Sequence, residues 1–251
     1  MVLLLKSSDK DFSDDFNSFL NIRRETDSDV ESSVYEIIDN VRVRGDEALC
    51  EYSLSFDKFK LTPDNLKVSS SEIDQSVKLC SSSQLDALNL AAERIRSFHL
   101  KQLPKDISYC DEQGIQLGLR WNAIEAVGIY VPGGLASYPS SVLMNAIPAK
   151  VAGVGRIAMV SPTSGGKINP IVLAAADIAG IDEIYRVGGA QAIAALAYGS
   201  ESIGSVNKIV GPGNSFVTAA KRQLFGLVGI DMVAGPSEIL VLSDNKNDPS
   251  W

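Results

Sequence analysis

The sequence predicts an α/β protein: a parallel sheet with helical crossovers, preceded by a mostly helical N-terminal region. Five short apolar runs each end in a Gly/Pro turn. They are Val127-Gly-Ile-Tyr-Val-Pro-Gly-Gly134, Ile157-Ala-Met-Val-Ser-Pro162, Ile184-Tyr-Arg-Val-Gly-Gly189, Ile209-Val-Gly-Pro-Gly-Asn214 and Met232-Val-Ala-Gly-Pro-Ser237. The runs are continuously apolar, the pattern of strands buried on both faces. Small-residue segments of helical length separate them, which implies right-handed crossovers and a parallel sheet. Ligands of such sheets sit beyond the carboxyl ends of the strands, where this chain places its Gly-rich turns.

The elements follow in order. Phe12, Phe16 and Leu20 recur at helical spacing and predict a short N-terminal helix. Ser28-Asp-Val-Glu31 reads as a capping box opening a second helix, with Val30, Val34, Ile37, Ile38 and Val41 inward and Gly45 as its stop. Asp46 starts another helix through Tyr52. Ser71 is the expected cap of a helix carrying Ile73 and Val77. A longer helix from about Ser83 puts Leu85, Leu88, Ala92, Ile95, His99 and Gln102 on one stripe, and Pro104 ends it. Ile107–Tyr109 and Ile115–Arg120 flank Asp111-Glu-Gln-Gly114, a hairpin pattern. Asn169-Pro170 and Gly180 bracket a helix, and Gly199 and Gly226 close the next two. Leu240–Leu242 reads as a further strand.

Composition narrows the function. Of 251 residues, 45% are hydrophobic and 22% charged, an ordinary globular balance. The net charge of −8, without a long basic run, argues against a nucleic-acid partner. Cys50, Cys80 and Cys110 are isolated and form no CxxC, so neither a disulfide framework nor a thiolate metal site is expected. Met1-Val-Leu-Leu-Leu5 is too short for a secretory core, and no apolar run reaches membrane-spanning length. No membrane association is expected, and the cytoplasm is the expected compartment.

Several motifs compete for a chemical role. Gly153-Val-Gly155 imitates a dinucleotide fingerprint but precedes a strand instead of following one, and is rejected. Ser164-Gly-Gly-Lys167 lacks the earlier glycine of a phosphate loop and reads as a surface turn. Tyr130-Val-Pro-Gly-Gly134 is better placed: its glycines admit a ligand to the backbone, and the next helix offers its positive end. Tyr130 is either a cofactor contact or a packed tyrosine beside a tight turn. Gly188-Gly-Ala-Gln191 and Gly211-Pro-Gly-Asn214 each place a carboxamide at a helix start, where it can donate and accept toward ribose or an amide-bearing ring. Singly, Gln191 reads as a solvated first-turn residue and Asn214 as a plain helix cap. Three such turns at one sheet edge favour a pocket. Ser237 can bind a polar substrate group, but no partner histidine supports a nucleophilic role. His99, the single histidine, lies on an apolar stripe and reads as a buried or interface residue. No acid–base pair and no metal-ligand cluster is visible, so no catalytic or metal-ligating residue is assigned.

At these turns the chain closely resembles the histidinol dehydrogenase family. The resemblance is carried by Val127–Gly134, Tyr138-Pro-Ser-Ser-Val-Leu-Met-Asn-Ala-Ile-Pro148, Val187–Gln191, Val210–Asn214 and Asp231–Glu238. Val43-Arg-Gly-Asp46, Phe56-Asp57 and Arg96-Ser-Phe98-His99 fit the same pattern. The resemblance implies four-electron oxidation of L-histidinol to L-histidine through histidinaldehyde, with two NAD molecules used in succession, at the last step of histidine biosynthesis. It implies that Tyr130, Gln191 and Asn214 bind NAD and that Ser237 binds substrate. It further implies a zinc ion holding the substrate's amine and imidazole, a homodimer, and a cofactor domain of incomplete Rossmann-like form. The family's zinc ligands and catalytic Glu–His pair are expected beyond Trp251.

The expected organisation is therefore residues 1–125 as a helical region and part of a first, incomplete α/β domain; residues 126–237 as the Rossmann-like NAD-binding domain; and residues 238–251 as the start of a segment returning to the first domain. Asn247-Asp248-Pro249-Ser250-Trp251 looks like a helix start without a helix, so the sequence is expected to be cut and this chain to be an inactive piece. Two alternatives stand beside this: a related NAD-dependent dehydrogenase of another small alcohol, and a non-catalytic nucleotide-binding protein.

Overall fold

In the computed structural model, residues 5–133, 137–233 and 243–248 are described, with residues 19–28 and 164 described for their backbone only. The chain opens with helix α1 (Phe12–Arg44), closed by Gly45 at φ 51. Helix α2 (Asp46–Tyr52) follows directly and passes into a π-helical turn, Ser53–Asp57, that ends at Lys58 in the left-handed region. The short helix α3 (Pro63–Leu66) leads to α4 (Ser70–Leu79) and α5 (Ser82–Leu100). Strands β1 (Ile107–Cys110) and β2 (Gln116–Leu119) pair antiparallel, with every residue exposed. Asp111 shapes their turn by accepting from the Gln113 and Ile115 amides.

The second half alternates strictly: β3 (Ala126–Tyr130), α6 (Pro139–Val151), β4 (Arg156–Val160), α7 (Pro170–Ala179), β5 (Glu183–Tyr185), α8 (Gly189–Tyr198), β6 (Lys208–Val210), α9 (Ser215–Leu224) and β7 (Gly229–Ile230). The five later strands form one parallel sheet in the order β5-β4-β3-β6-β7. The α/β class read from the sequence is what forms. Neighbours β4 and β6 lie on opposite sides of β3, so the chain reverses its direction of growth there, and the crevice opens above the carboxyl ends of β3 and β6.

Side chains along each strand alternate between two cores. Val127, Ile129, Ile157, Met159 and Ile184 face α4 to α7. Ala126, Tyr130, Ala158, Val160, Tyr185 and Ile209 face α1, α2, α8 and α9. Helix α8 is buried from Ala190 to Ala197, between the sheet and α1. A helix covered all round needs small apolar residues on every face, and α8 supplies five alanines over that span.

Four local expectations are corrected. No helix begins at Ser28: α1 runs unbroken through it. The local capping pattern loses to continuation of a helix whose Val34, Ile37, Ile38 and Val41 bury against α8 and α9. The cap of α4 is Ser69, not Ser71; its hydroxyl accepts from the Glu72 amide and Glu72 returns the bond to the Ser69 amide. Likewise Ser81, two residues before Ser83, caps α5. Among the described residues the last strand is Gly229–Ile230, not Met232–Val233, because it pairs with β6 only at Lys208 and Ile209 and Asp231 is then drawn into a side-chain network. The expected strand Leu240–Leu242 and the helix start at Asp248-Pro249 fall outside or partly outside the described residues.

The two halves are tied by polar contacts. The Asp46 carboxylate accepts from the Ser200 hydroxyl at 2.6 Å and from the Ser202 hydroxyl, while Glu201 accepts from the Asp46 amide at 2.8 Å. Glu31 on α1 accepts from Arg222 and Gln223 on α9.

Candidate functional site

The turn after β3 begins with Tyr130, 4% exposed at the strand's carboxyl end. Its phenol oxygen accepts from the Gly189 amide at 3.2 Å, which links the β3 turn to the start of α8. Burial pushes the phenol pKa up; the Gly189 bond opposes this and the nearby Asp57 charge reinforces it. The phenol therefore keeps its proton near neutral pH and can donate it.

The turn after β5 carries Gly188 and Gly189 into α8. Gly189 sits at φ 68, and a Cβ there would lie 2.5 Å from the Gln191 Oε1. The positive φ favours glycine here, and a Cβ would also push the Gln191 amide from its place. Gln191 is not the solvated first-turn residue expected on its own: it is 2% exposed. Its Oε1 is buried without a hydrogen-bond partner among the described residues. A buried amide oxygen left open costs about 1–3 kcal/mol, so it calls for a ligand atom.

The turn after β6 is held from two sides. The Asp231 carboxylate accepts from the Gly211 amide at 2.8 Å, and the Lys221 ammonium donates to the Gly211 carbonyl at 3.0 Å while pairing with Asp231. Gly211 itself, at φ 111, has no room for a Cβ, which would fall 2.1 Å from the Tyr130 carbonyl oxygen. Beyond it Asn214 caps α9, its Oδ1 accepting from the Val217 amide at 3.1 Å. The plain-cap reading of Asn214 is therefore correct for Oδ1. Its amide nitrogen remains as a donor.

These three turns converge. Tyr130, Gln191 and Asn214 line one cavity of about 310 Å³ together with Pro132, Gly133 and Pro162. A larger space of about 560 Å³ adjoins it across Pro132, Gly133 and Pro162, toward α4 and α7. Its buried cation, Arg186, is already engaged: it donates to the carbonyls of Asn65, Lys67 and Gly166 and pairs with Glu72. The smaller cavity holds the open valence and lies at the strand reversal, so it is the candidate site.

Sequence reasoning assigned no role to Phe56, Asp57 or Phe216, which also line this cavity. They arrive from the π-helical turn and the first turn of α9, and no local pattern announces that the turn of residues 53–57 folds over the sheet edge. Ser237 and Gly134 lie outside the described residues. His99 is half-buried on α5, edge-on to Phe98 at 5.3 Å, and does not line the cavity. Among the described residues no group of three or more His, Cys, Asp or Glu is arranged to hold a metal ion, and no helix is long and apolar enough to cross a membrane.

Known proteins of similar sequence and fold come from one family. The family model for histidinol dehydrogenase matches residues 20–251. Histidinol dehydrogenase of Rhodospirillum rubrum is 58% identical over 251 residues, all of this chain and 58% of that protein. The Rhizobium meliloti protein is 59% identical over the same span, again 58% of its length. The crystal structure of histidinol dehydrogenase from Elizabethkingia anophelis superposes with a TM-score of 0.81 at 39% identity, covering 88% of this chain and 51% of that one. The chain thus spans little more than half the length of these relatives, and it belongs to the histidinol dehydrogenase family.

Proposed function

We propose that this chain supplies the NAD-binding part of an enzyme that oxidises L-histidinol to L-histidine. The observation that carries the reading is the buried, unpartnered Oε1 of Gln191 in a cavity shared with Tyr130 and Asn214 at the strand reversal. The family's chemistry supports it, since that chemistry uses NAD. NAD, when bound, supplies the hydride acceptor. The residues fit the group. Gln191 offers an acceptor for an O–H or N–H, Asn214 a donor through its free amide nitrogen, and Tyr130 a protonated phenol. Their shared role is to fix a nucleotide at the carboxyl edge of the sheet and exclude water beneath it.

Ser237 is the proposed substrate contact. Zinc is the family's metal, but the described residues offer it no ligand set, and no step is assigned to it here. A homodimer and the substrate L-histidinol are likewise carried over from the family. The 251 residues alone are proposed not to oxidise the alcohol.

Calorimetric titration with NAD and a spectrophotometric assay with L-histidinol test this. Expected are saturable NAD binding by the 251-residue chain without NADH formation, and L-histidinol-dependent NADH formation by a full-length protein containing it. Failure of NAD to bind would overturn the cleft. NADH formation by the chain alone would overturn its proposed inactivity.

A further inference from the structure

The cavity has a rim that the three turns do not account for. It comes from the π-helical turn Ser53–Asp57, a rare geometry that often marks functional positions. The turn ends at Lys58 in the left-handed region, and this places Phe56 and Asp57 against the sheet edge. Phe56 is 56% exposed, although its ring stacks on Tyr52 at 5.5 Å. The exposed ring of Phe216 lines the same cavity.

Among the described residues, Asp57 is the single carboxylate lining this space. It is half-buried, and no hydrogen bond engages its oxygens among the described residues. Burial pushes its pKa up, the mark of a carboxylate short of solvent and partners. Among the described residues, the lining contains no lysine or arginine. The adjacent cation, Lys58, turns its ammonium to the Ser55 carbonyl oxygen at 2.7 Å.

A cavity of about 310 Å³ is at the small end for ligand pockets, so it fits one nucleoside half of a dinucleotide. Exposed aromatic faces suit a flat base. A carboxylate beside them suits a vicinal diol, accepting two O–H donors. The same carboxylate repels a phosphate ester on that diol, and no cation among the described lining residues offsets the repulsion. Discrimination by an unfavourable contact is as effective as by a favourable one.

We propose that Asp57 binds the ribose diol of the adenosine half and makes this site select NAD over NADP. The inference rests on the nucleotide reading above. It adds a residue, a moiety and a rejected competitor.

The test measures dissociation constants of NAD and NADP for the full-length protein and its Asp57→Asn variant, with melting temperatures to confirm folding. The unmodified protein is expected to bind NAD at least about tenfold more tightly than NADP. In Asp57→Asn, NAD should weaken by about tenfold and the preference should narrow by a similar factor, the size expected for one hydrogen bond to a charged group. An unchanged NAD/NADP ratio in a folded variant overturns the proposal. A second measurement needs no variant: 5′-AMP should bind about tenfold more tightly than 2′,5′-ADP, and equal binding overturns it. If Gln191→Leu loses NAD while Asp57→Asn keeps both affinity and preference, the cleft stands and the role of Asp57 falls. If the unmodified protein binds neither nucleotide, both fall.

Discussion

The turn at Gln191 and the turn at Asn214 both start a helix at the carboxyl end of a parallel strand, yet they settle their carboxamides differently. Asn214 spends its oxygen on its own helix, accepting from the Val217 amide at 3.1 Å. Gln191 leaves its oxygen buried and open. The first residue stabilises the empty protein. The second gives up stability and becomes useful only when something binds. The neighbouring cavity makes the same point from the other side. There the buried Arg186 is satisfied by three carbonyls and Glu72, and so has little left to offer a ligand.

The comparison can be broken most forcefully at the support of the Asn214 turn. Lys221 is buried, and Asp231 and the Gly211 carbonyl both depend on it. Lys221→Met leaves Asp231 without its cation and should cost about 3 kcal/mol in urea unfolding. A cost under about 1 kcal/mol would mean that the network does not hold the turn. Next comes the cap itself: Asn214→Ala should cost about 1 kcal/mol by the same measurement.

Gln191→Leu should behave in the opposite sense. Removing an unsatisfied acceptor while keeping the volume is expected to leave stability unchanged or raise it by up to about 1 kcal/mol. A loss of more than that would mean Gln191 has a structural partner after all. The smallest effect concerns Glu72. Burial raises its pKa, but the hydrogen bonds from Arg186 and Ser69 and the Arg186 charge outweigh that, and the net direction is downward. A lowered carboxylate contributes stability that is present above its ordinary value of 4.5 and is lost as pH falls through the lower folded value. Glu72→Gln should therefore be slightly destabilised near neutrality, and the difference should vanish in acid. Because Glu72 is about half exposed, the effect is small.

Much of this was legible in the chain itself. Continuous apolar runs ending in glycine gave the parallel sheet, and Asn169, Gly180 and Gly199 bound their helices as their chemistry requires. Local signals failed where distant burial or pairing outweighed them. The Ser28 pattern was overridden by the packing of α1, and the last strand was set by its register with β6 instead of by the apolar Met232-Val233. At the site, the three turns were readable because each is a local strand–turn–helix pattern. The burial of Gln191 was not, since it depends on how the sheet edge and the segment near Phe56 close over α8. Asp57 entered only among the residues that carry the family resemblance, without a role: nothing within ten residues of it says which surface it will face.

The central claim is that Gln191 and Asn214, unlike in their effect on the empty fold, act on the same ligand. Calorimetric titration of NAD into the unmodified protein and into Gln191→Leu tests it most directly. The account predicts that the variant melts no lower than the parent and binds NAD about tenfold more weakly. An unaltered NAD affinity in that folded variant would contradict it.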